Sequence, residues 1–387
     1  MIYNFDALPN RRSSESLKWG AFPEDVLPMW IADMDFVSPE PVIRALHERV
    51  EHGIFGYPME TPELRQVIVD RMADLYRWSI QPEDIILVPG VVKGFNLACL
   101  SVASPGGGVL VMPPVYPPIL QAPAKTETLR KEAPLVQRAD GTYEIGWDEF
   151  EAAIHEHTRL FILCNPHNPV GRVFRRDELE RMAEICLRQG VVICSDEIHC
   201  DLIYRGYHHI PIASMDPEIA QNTITLMAPS KTYNIPGLQC SYAIIPNPEL
   251  RQKYQNATKG LVSWVNLMGM VAMSAAYRHG QEWLEQVLTY LEHNRDFVFG
   301  YLAKECPSIR MVKPEGTYLA WLDCRQSGIE GNCAQFFLEK GKVALEDGSK
   351  FGREGEGFVR LNFGCPRSML AEALERMKHA LQAIGTT

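Results

Sequence analysis

The feature that most constrains this chain is a series of short apolar runs, each stopped abruptly by polar, Gly or Pro residues. Ile85-Ile86-Leu87-Val88 ends at Pro89-Gly90, and Val109-Leu110-Val111-Met112 follows the turn Pro105-Gly106-Gly107-Gly108. Leu160-Phe161-Ile162-Leu163 ends just before Asn165-Pro166-His167-Asn168-Pro169, and Val191-Val192-Ile193-Cys194 ends at Ser195-Asp196. Thr223 to Met227 ends before Ala228-Pro229-Ser230-Lys231-Thr232, and Cys240 to Ile245 follows Asn234-Ile235-Pro236-Gly237-Leu238. Runs this short and this apolar read as strands buried on both faces. A helical period joins them, as over Arg175 to Gln189 with a stop at Gly190. The alternation predicts an α/β fold with a mostly parallel sheet. Nearly every polar signature falls just past the carboxyl end of a run, where open α/β sheets bind their ligands.

At 387 residues the chain can bury a large core and form two domains. From about Glu282 the pattern changes to a long amphipathic helix and then short strands such as Thr317-Tyr318-Leu319-Ala320-Trp321-Leu322, which predicts a second, smaller domain. The Met-rich stretch Leu267 to Ala276 reads as a core helix. No internal repeat or low-complexity linker is visible.

A formal net charge of −10 leaves no basic footprint for nucleic acid or an anionic membrane surface. The first residues lack the pattern of a signal peptide, and no run reaches the ~18 apolar residues of a membrane span. Ten cysteines without a CxxC pair do not form a disulfide framework. A cytoplasmic protein is the expectation. Cys164-x-x-His167 and His199-Cys200 are too few ligands for a structural metal site, and no metal is expected.

Three signatures stand in a fixed order: Asn165 to Arg172, then Ser195-Asp196-Glu197-Ile198-His199, then Ala228 to Thr232. Together they resemble the site of fold-type I enzymes that depend on pyridoxal 5′-phosphate. Pro28-Met29-Trp30-Ile31-Ala32-Asp33-Met34-Asp35-Phe36 and Asn362-Phe363-Gly364-Cys365-Pro366-Arg367 narrow the resemblance. They look like the MalY/PatB subgroup of the class I/II aminotransferase superfamily, the cystathionine β-lyase-like C–S lyases. The resemblance covers essentially the whole chain. It implies a fold-type I architecture with a large domain over residues 46–281 and a small domain collecting 1–45 and 282–387.

The resemblance also implies roles. Lys231 would carry the cofactor covalently and then act as acid–base catalyst, as a desolvated lysine can. Asp196 would face the pyridine nitrogen, with Glu197 on the opposite side of an extended chain. Asn168 would bond the ring hydroxyl and Tyr116 would stack on the ring face. The phosphate would rest on the backbone of Val91 and Val92, in a glycine-flanked loop that opens a helix, together with Ser230. Tyr57 resembles a tyrosine that reaches the phosphate of the neighbouring subunit, which implies a homodimer with a shared site. Arg360 would grip the carboxylate of an amino-acid substrate, with Arg367 as a nearby competitor.

Two positions depart from the aspartate-type pattern. Gln239 stands where a phosphate-binding arginine is usual, and His199 where many aminotransferases have a tyrosine. The implied reaction is β-elimination from L-cystathionine or a related cysteine S-conjugate, giving pyruvate, ammonia and a thiol. Amino transfer to a 2-oxo acid is the alternative, because both reactions share every step up to loss of the Cα proton. A purely regulatory role fits poorly with Lys231, Asp196 and Arg360 all in place. The leaving thiol is not written in the residue types; Trp30 to Asp35 and a partner chain would shape its pocket.

Overall fold

A computed structural model describes residues 1–384. Its centre is a seven-stranded sheet built from β1 (Ile85–Val88), β2 (Gly108–Val111), β3 (Leu129–Glu132), β4 (Thr158–Cys164), β5 (Val192–Asp196), β6 (Thr223–Met227) and β7 (Ser241–Ile244). The spatial order is β1-β7-β6-β5-β4-β2-β3. Strands β6, β5, β4, β2 and β3 run parallel to one another, whereas β7 is antiparallel to both β6 and β1. The apolar runs thus become strands covered on both faces, with Val109, Leu160, Phe161, Ile193 and Ile224 fully buried. β3 escaped the sequence reading: Leu-Arg-Lys-Glu at a sheet edge is partly exposed and carries charge, as edges do.

Strand ends differ from the expected ones in a way that matters. β5 runs on through Ser195 and Asp196, so the carboxylate is the last residue of the strand and is held in register by Cys164 and Leu226 on either side. The expected strand at Thr317 to Leu322 begins only at Leu319, because Thr317 lies at φ +69°. The helix Leu267–His279 buries Met270 and Met273, and Cys164, Cys194 and Cys240 are buried among apolar neighbours.

Beyond the long helix Gln281–Glu305, strands β8 (Arg310–Met311), β9 (Leu319–Asp323), β10 (Glu346–Asp347) and β11 (Phe358–Asn362) form an antiparallel sheet in the order β8-β9-β11-β10. The N-terminal segment joins it: Leu27-Pro28 pairs with Val343-Ala344, and Phe5, Trp19, Met29 and Met34 share a core with Trp283, Val359 and Phe363. Residues 28–36 form a strap across the carboxyl ends of the central strands. Asn362 Nδ2 donates to the carbonyls of Ile31 and Asp33 at 2.7 Å each, and Asn234 bonds the backbone of Met34 and Phe36. Among the described residues no helix is long and apolar enough to cross a membrane, and no group of three His, Cys, Asp or Glu is placed to hold a metal ion.

Candidate active site

Lys231 lies on one helical turn, Pro229–Thr232, that begins as soon as β6 ends. Pro229 starts the turn where its missing N–H costs nothing. Thr232 Oγ1 donates to Asp201 Oδ2 at 2.7 Å, and Asp201 is itself paired with buried Arg71 at 2.5 Å, which pins the turn. The Lys231 Nζ donates to Ala32 O of the strap at 2.5 Å. Burial, with the Arg360 charge adding to it and Asp33 and Asp196 opposing, pulls its pKa down to about 8.

Asp196 is buried, and its Oδ1 accepts from Ile198 N at 3.2 Å. Burial pushes its pKa up to about 7, with the Glu197 charge adding to it and the backbone bond and the Lys231 charge opposing. Glu197 turns to the opposite side as strand alternation requires. There it accepts from Ser195 Oγ at 2.8 Å and pairs with His209 Nε2 at 2.8 Å. Asn168 stands in the turn after β4, and its Oδ1 accepts from Arg360 Nη1 at 2.9 Å.

Arg360, on β11, is thereby brought from the second sheet onto the ends of the first. Its Nη2 donates to Trp30 O at 3.0 Å, its guanidinium lies 4.9 Å from the Phe351 ring centroid, and Glu346 approaches to 4.0 Å. Its Nε is buried with no partner. Arg367 is directed elsewhere: its Nε donates to Asn294 Oδ1 at 2.8 Å and it covers the Phe297 ring. Tyr116 precedes the helix Pro117–Lys125. Burial raises its phenol pKa, with Arg360 lowering it and Asp196 raising it, so the ring lies in the field of both.

Val91 and Val92 form the first turn of the helix Val91–Val102, which has no side-chain cap. Gly90 enters it at φ +105°, and a Cβ there would meet no atom within 4 Å. The first-turn N–H groups have no side-chain cap, as an anion cradle needs. Ser230 is buried in the lysine turn. Gln239 lies at φ +46° and accepts from Lys93 Nζ at 3.3 Å, which places a cation near this end of the sheet. Tyr57 is 87% exposed, and its ring meets Trp264.

Three contributors escaped the sequence reading. The carbonyls of Trp30 and Ala32 bond Arg360 and Lys231, and backbone acceptors carry no side-chain signature. Tyr318 donates to the same Ala32 O at 2.9 Å and stands edge-on to His199, with ring centroids 6.0 Å apart. His199 Nδ1 is buried without a partner, and burial with two nearby cations holds its pKa down to about 3. A separate cleft of about 530 Å³, lined by Tyr143, Arg172, Glu315 and Trp321, contains none of the residues that meet around Lys231.

A half-buried lysine meets a buried aspartate and a buried arginine at the carboxyl ends of a mostly parallel sheet. Residues 24–377 match the family model for aminotransferase class I and II. The chain belongs to this family. Among relatives, it is 40% identical to cystathionine beta-lyase PatB of Bacillus subtilis, across 98% of this chain and all of that one. Among solved structures, cystalysin from Treponema denticola, which contains a pyridoxal 5′-phosphate cofactor, superposes with a TM-score of 0.95 at 33% identity over 99% of this chain and all of its own. The PLP-bound C–S lyase from Staphylococcus hominis does so with a TM-score of 0.92 at 32% identity over 98% of each chain. As a class I and II family member, the chain has its strap, lysine turn and arginine strand in the parts that align over the whole length of these proteins.

Proposed function

We propose that this chain is a pyridoxal 5′-phosphate-dependent carbon–sulfur β-lyase that cleaves L-cystathionine or related cysteine S-conjugates to pyruvate, ammonia and a thiol. What carries the reading is the convergence of Lys231 with the buried Asp196 and Arg360, in a chain whose full-length relatives include cystathionine β-lyases. The residues suit the cofactor. A buried carboxyl with no cationic partner matches a protonated pyridine nitrogen, and the uncapped turn at Val91 and Val92 matches a phosphate. When bound, pyridoxal phosphate supplies an electron sink that acidifies the substrate Cα–H.

The protein's own residues do the rest. Arg360 offers its unpartnered Nε edge to the substrate carboxylate, a planar contact lysine cannot reproduce. Asn168, whose Oδ1 is already taken by Arg360, keeps its amide N–H groups for the ring hydroxyl. Asp196 holds the proton on the ring nitrogen, and Tyr116 covers one ring face. Lys231, with its pKa drawn down to about 8, takes the proton from Cα and returns it to the departing sulfur. The Cβ–S bond breaks with its electron pair leaving on sulfur, and one water then releases pyruvate and ammonia.

The active unit on this reading is a homodimer. Ile54, Phe55, Tyr57, Met59, Leu261 and Trp264 are large apolar side chains left exposed in one chain. An apolar patch of that kind marks an interface. A partner seated on it would bring Tyr57 to the neighbouring phosphate. All ten cysteines are unpaired, which suits a reducing cytoplasm. The test is product analysis with L-cystathionine in the absence of any 2-oxo acid. Stoichiometric pyruvate and thiol support the lyase; loss of the cofactor's visible absorbance, restored only by adding a 2-oxo acid, identifies an aminotransferase.

A further inference from the structure

Thr317 is a β-branched residue at φ +69°, a conformation that strains such a side chain and persists only where the surroundings impose it. The surroundings do. Thr317 N donates to Leu202 O at 2.7 Å, and Tyr204 OH donates to Thr317 O at 2.6 Å. Gly316 packs so closely on Leu202 O that a Cβ would come within 2.8 Å. The product of this bend is the placement of Tyr318. Its buried hydroxyl donates to Ala32 O at 2.9 Å, and Ala32 O is the acceptor for Lys231 Nζ at 2.5 Å. The next strap residue, Asp33, has Oδ2 clamped by Arg11 and Oδ1 buried with no partner.

We infer that the strap at Ala32 and Asp33 is the resting place of the Lys231 ammonium, and that Asp33 and Tyr318 are positioning residues that keep its proton on the strap side. The inference rests on the β-lyase reading for its consequence, though not for its geometry. The groups facing Lys231 are Asp33 from the strap, Asp196 from β5, Arg360 from β11, Tyr318 before β9, and His199. His199 stays neutral and Arg360 repels an ammonium. Asp196 is committed to the ring nitrogen when cofactor is bound, which leaves Asp33, shared with Arg11 and next in the chain to Ala32, as the carboxylate acting on the ammonium. Tyr318 holds the Ala32 carbonyl so that its oxygen points at Nζ. An ammonium docked there keeps the abstracted proton for the leaving sulfur. A loosely held one can return it to the cofactor side, the first step that amino transfer does not share with elimination. The dock is thus a determinant of which of the two reactions follows.

The experiment uses cofactor-free protein, with acetic anhydride labelling of Lys231 followed by peptide mass spectrometry across pH. Asp33→Asn removes the counter-charge, and the labelling midpoint falls by about half a pH unit or more. Tyr318→Phe frees the Ala32 carbonyl to turn away, and the midpoint falls in the same direction. In the holoenzyme both variants raise the ratio of amino-transfer to pyruvate-forming turnovers several-fold. Tyr301→Phe removes a hydroxyl bonded to Glu375 on distant helices and changes neither readout. Midpoints that stay put or rise in variants with unchanged thermal midpoints overturn the dock. Should Asp33→Asn fail to fold through loss of the Arg11 clamp, Tyr318→Phe alone decides. Wild-type enzyme that makes no pyruvate sinks the lyase reading instead, while the labelling midpoints still judge the dock.

Discussion

Replacing Asp196 by Asn should stabilise the cofactor-free protein while crippling the loaded one. Asp196 is 4% exposed, and its carboxyl is raised from 3.8 to about 7 by burial. Holding it ionised at pH 8 therefore costs the folded cofactor-free protein on the order of 4 kcal/mol. The sign follows from linkage: a carboxyl whose folded pKa lies above its unfolded value adds stability at acid pH that drains away between about pH 4 and 7. Asparagine has no charge to bury and keeps the bond from Ile198 N through its own Oδ1. Its new N–H₂ lacks a partner, at about 1–3 kcal/mol. The net expectation is a gain of roughly 1–3 kcal/mol at pH 8 from those two opposing figures. That gain vanishes toward pH 4 as the wild-type carboxyl protonates. Thermal unfolding of both cofactor-free proteins at pH 5 and pH 8 measures it. With cofactor bound the order should reverse, because the variant cannot hold the ring nitrogen's proton, and turnover should fall by about 10²-fold or more. A cofactor-free D196N protein less stable than wild type at pH 8 would refute the reasoning, since Asp196 would then have a partner in the protein.

Borohydride reduction followed by peptide mass spectrometry should fix the cofactor on the Lys231 peptide, and Lys231→Ala should abolish that adduct and lower turnover by about 10²–10⁴-fold. Arg360→Lys should raise KM for L-cystathionine by about 10–100-fold, the worth of one bidentate charged contact, with a smaller change in kcat; steady-state kinetics separate the two. Tyr57→Phe should weaken cofactor binding by about 5–10-fold, the loss of one hydrogen bond, in an equilibrium titration. If Tyr57 serves the neighbouring subunit, mixing Tyr57→Ala and Lys231→Ala proteins should regain activity that neither has alone.

The parts of this molecule that were legible in its sequence are those whose physics is written in side chains. Strands covered on both faces must be apolar throughout, so β1, β2, β4, β5 and β6 announced themselves, and the polar residues at their ends pointed to the candidate site. Lys231, Asp196, Asn168 and Arg360 were named by the resemblance that their motifs carry, and the structure brings all four together. What was not legible depends on backbone. The acceptors at Trp30 and Ala32 are carbonyls that any residue would supply, and only the path of the strap aims them. Nothing in Thr317 forecasts a positive φ, which the packing of Gly316 against Leu202 imposes. The charged edge strand β3 lacked the apolar signal that revealed its neighbours.

The adjacent carboxyls of Asp196 and Glu197 show how one strand assigns two opposite fates. Both are buried, and alternation along the extended chain turns them to opposite sides. Glu197 is met there by Ser195 Oγ, Ile212 N and the imidazole of His209, donors enough to accept its charge within the protein. Asp196 receives one backbone N–H and no ion-pair contact, with Lys231 acting only from a distance, so its ionisation is poorly compensated. A buried, unpaired carboxyl is a standing cost, and a fold that merely needed a polar residue at this strand end would do better with a neutral one. The cost has a purpose if a positively charged ring is to sit against it. Binding then gains in affinity what folding gave up in stability, and the opposite signs expected of Asp196→Asn with and without cofactor are the measure of that exchange.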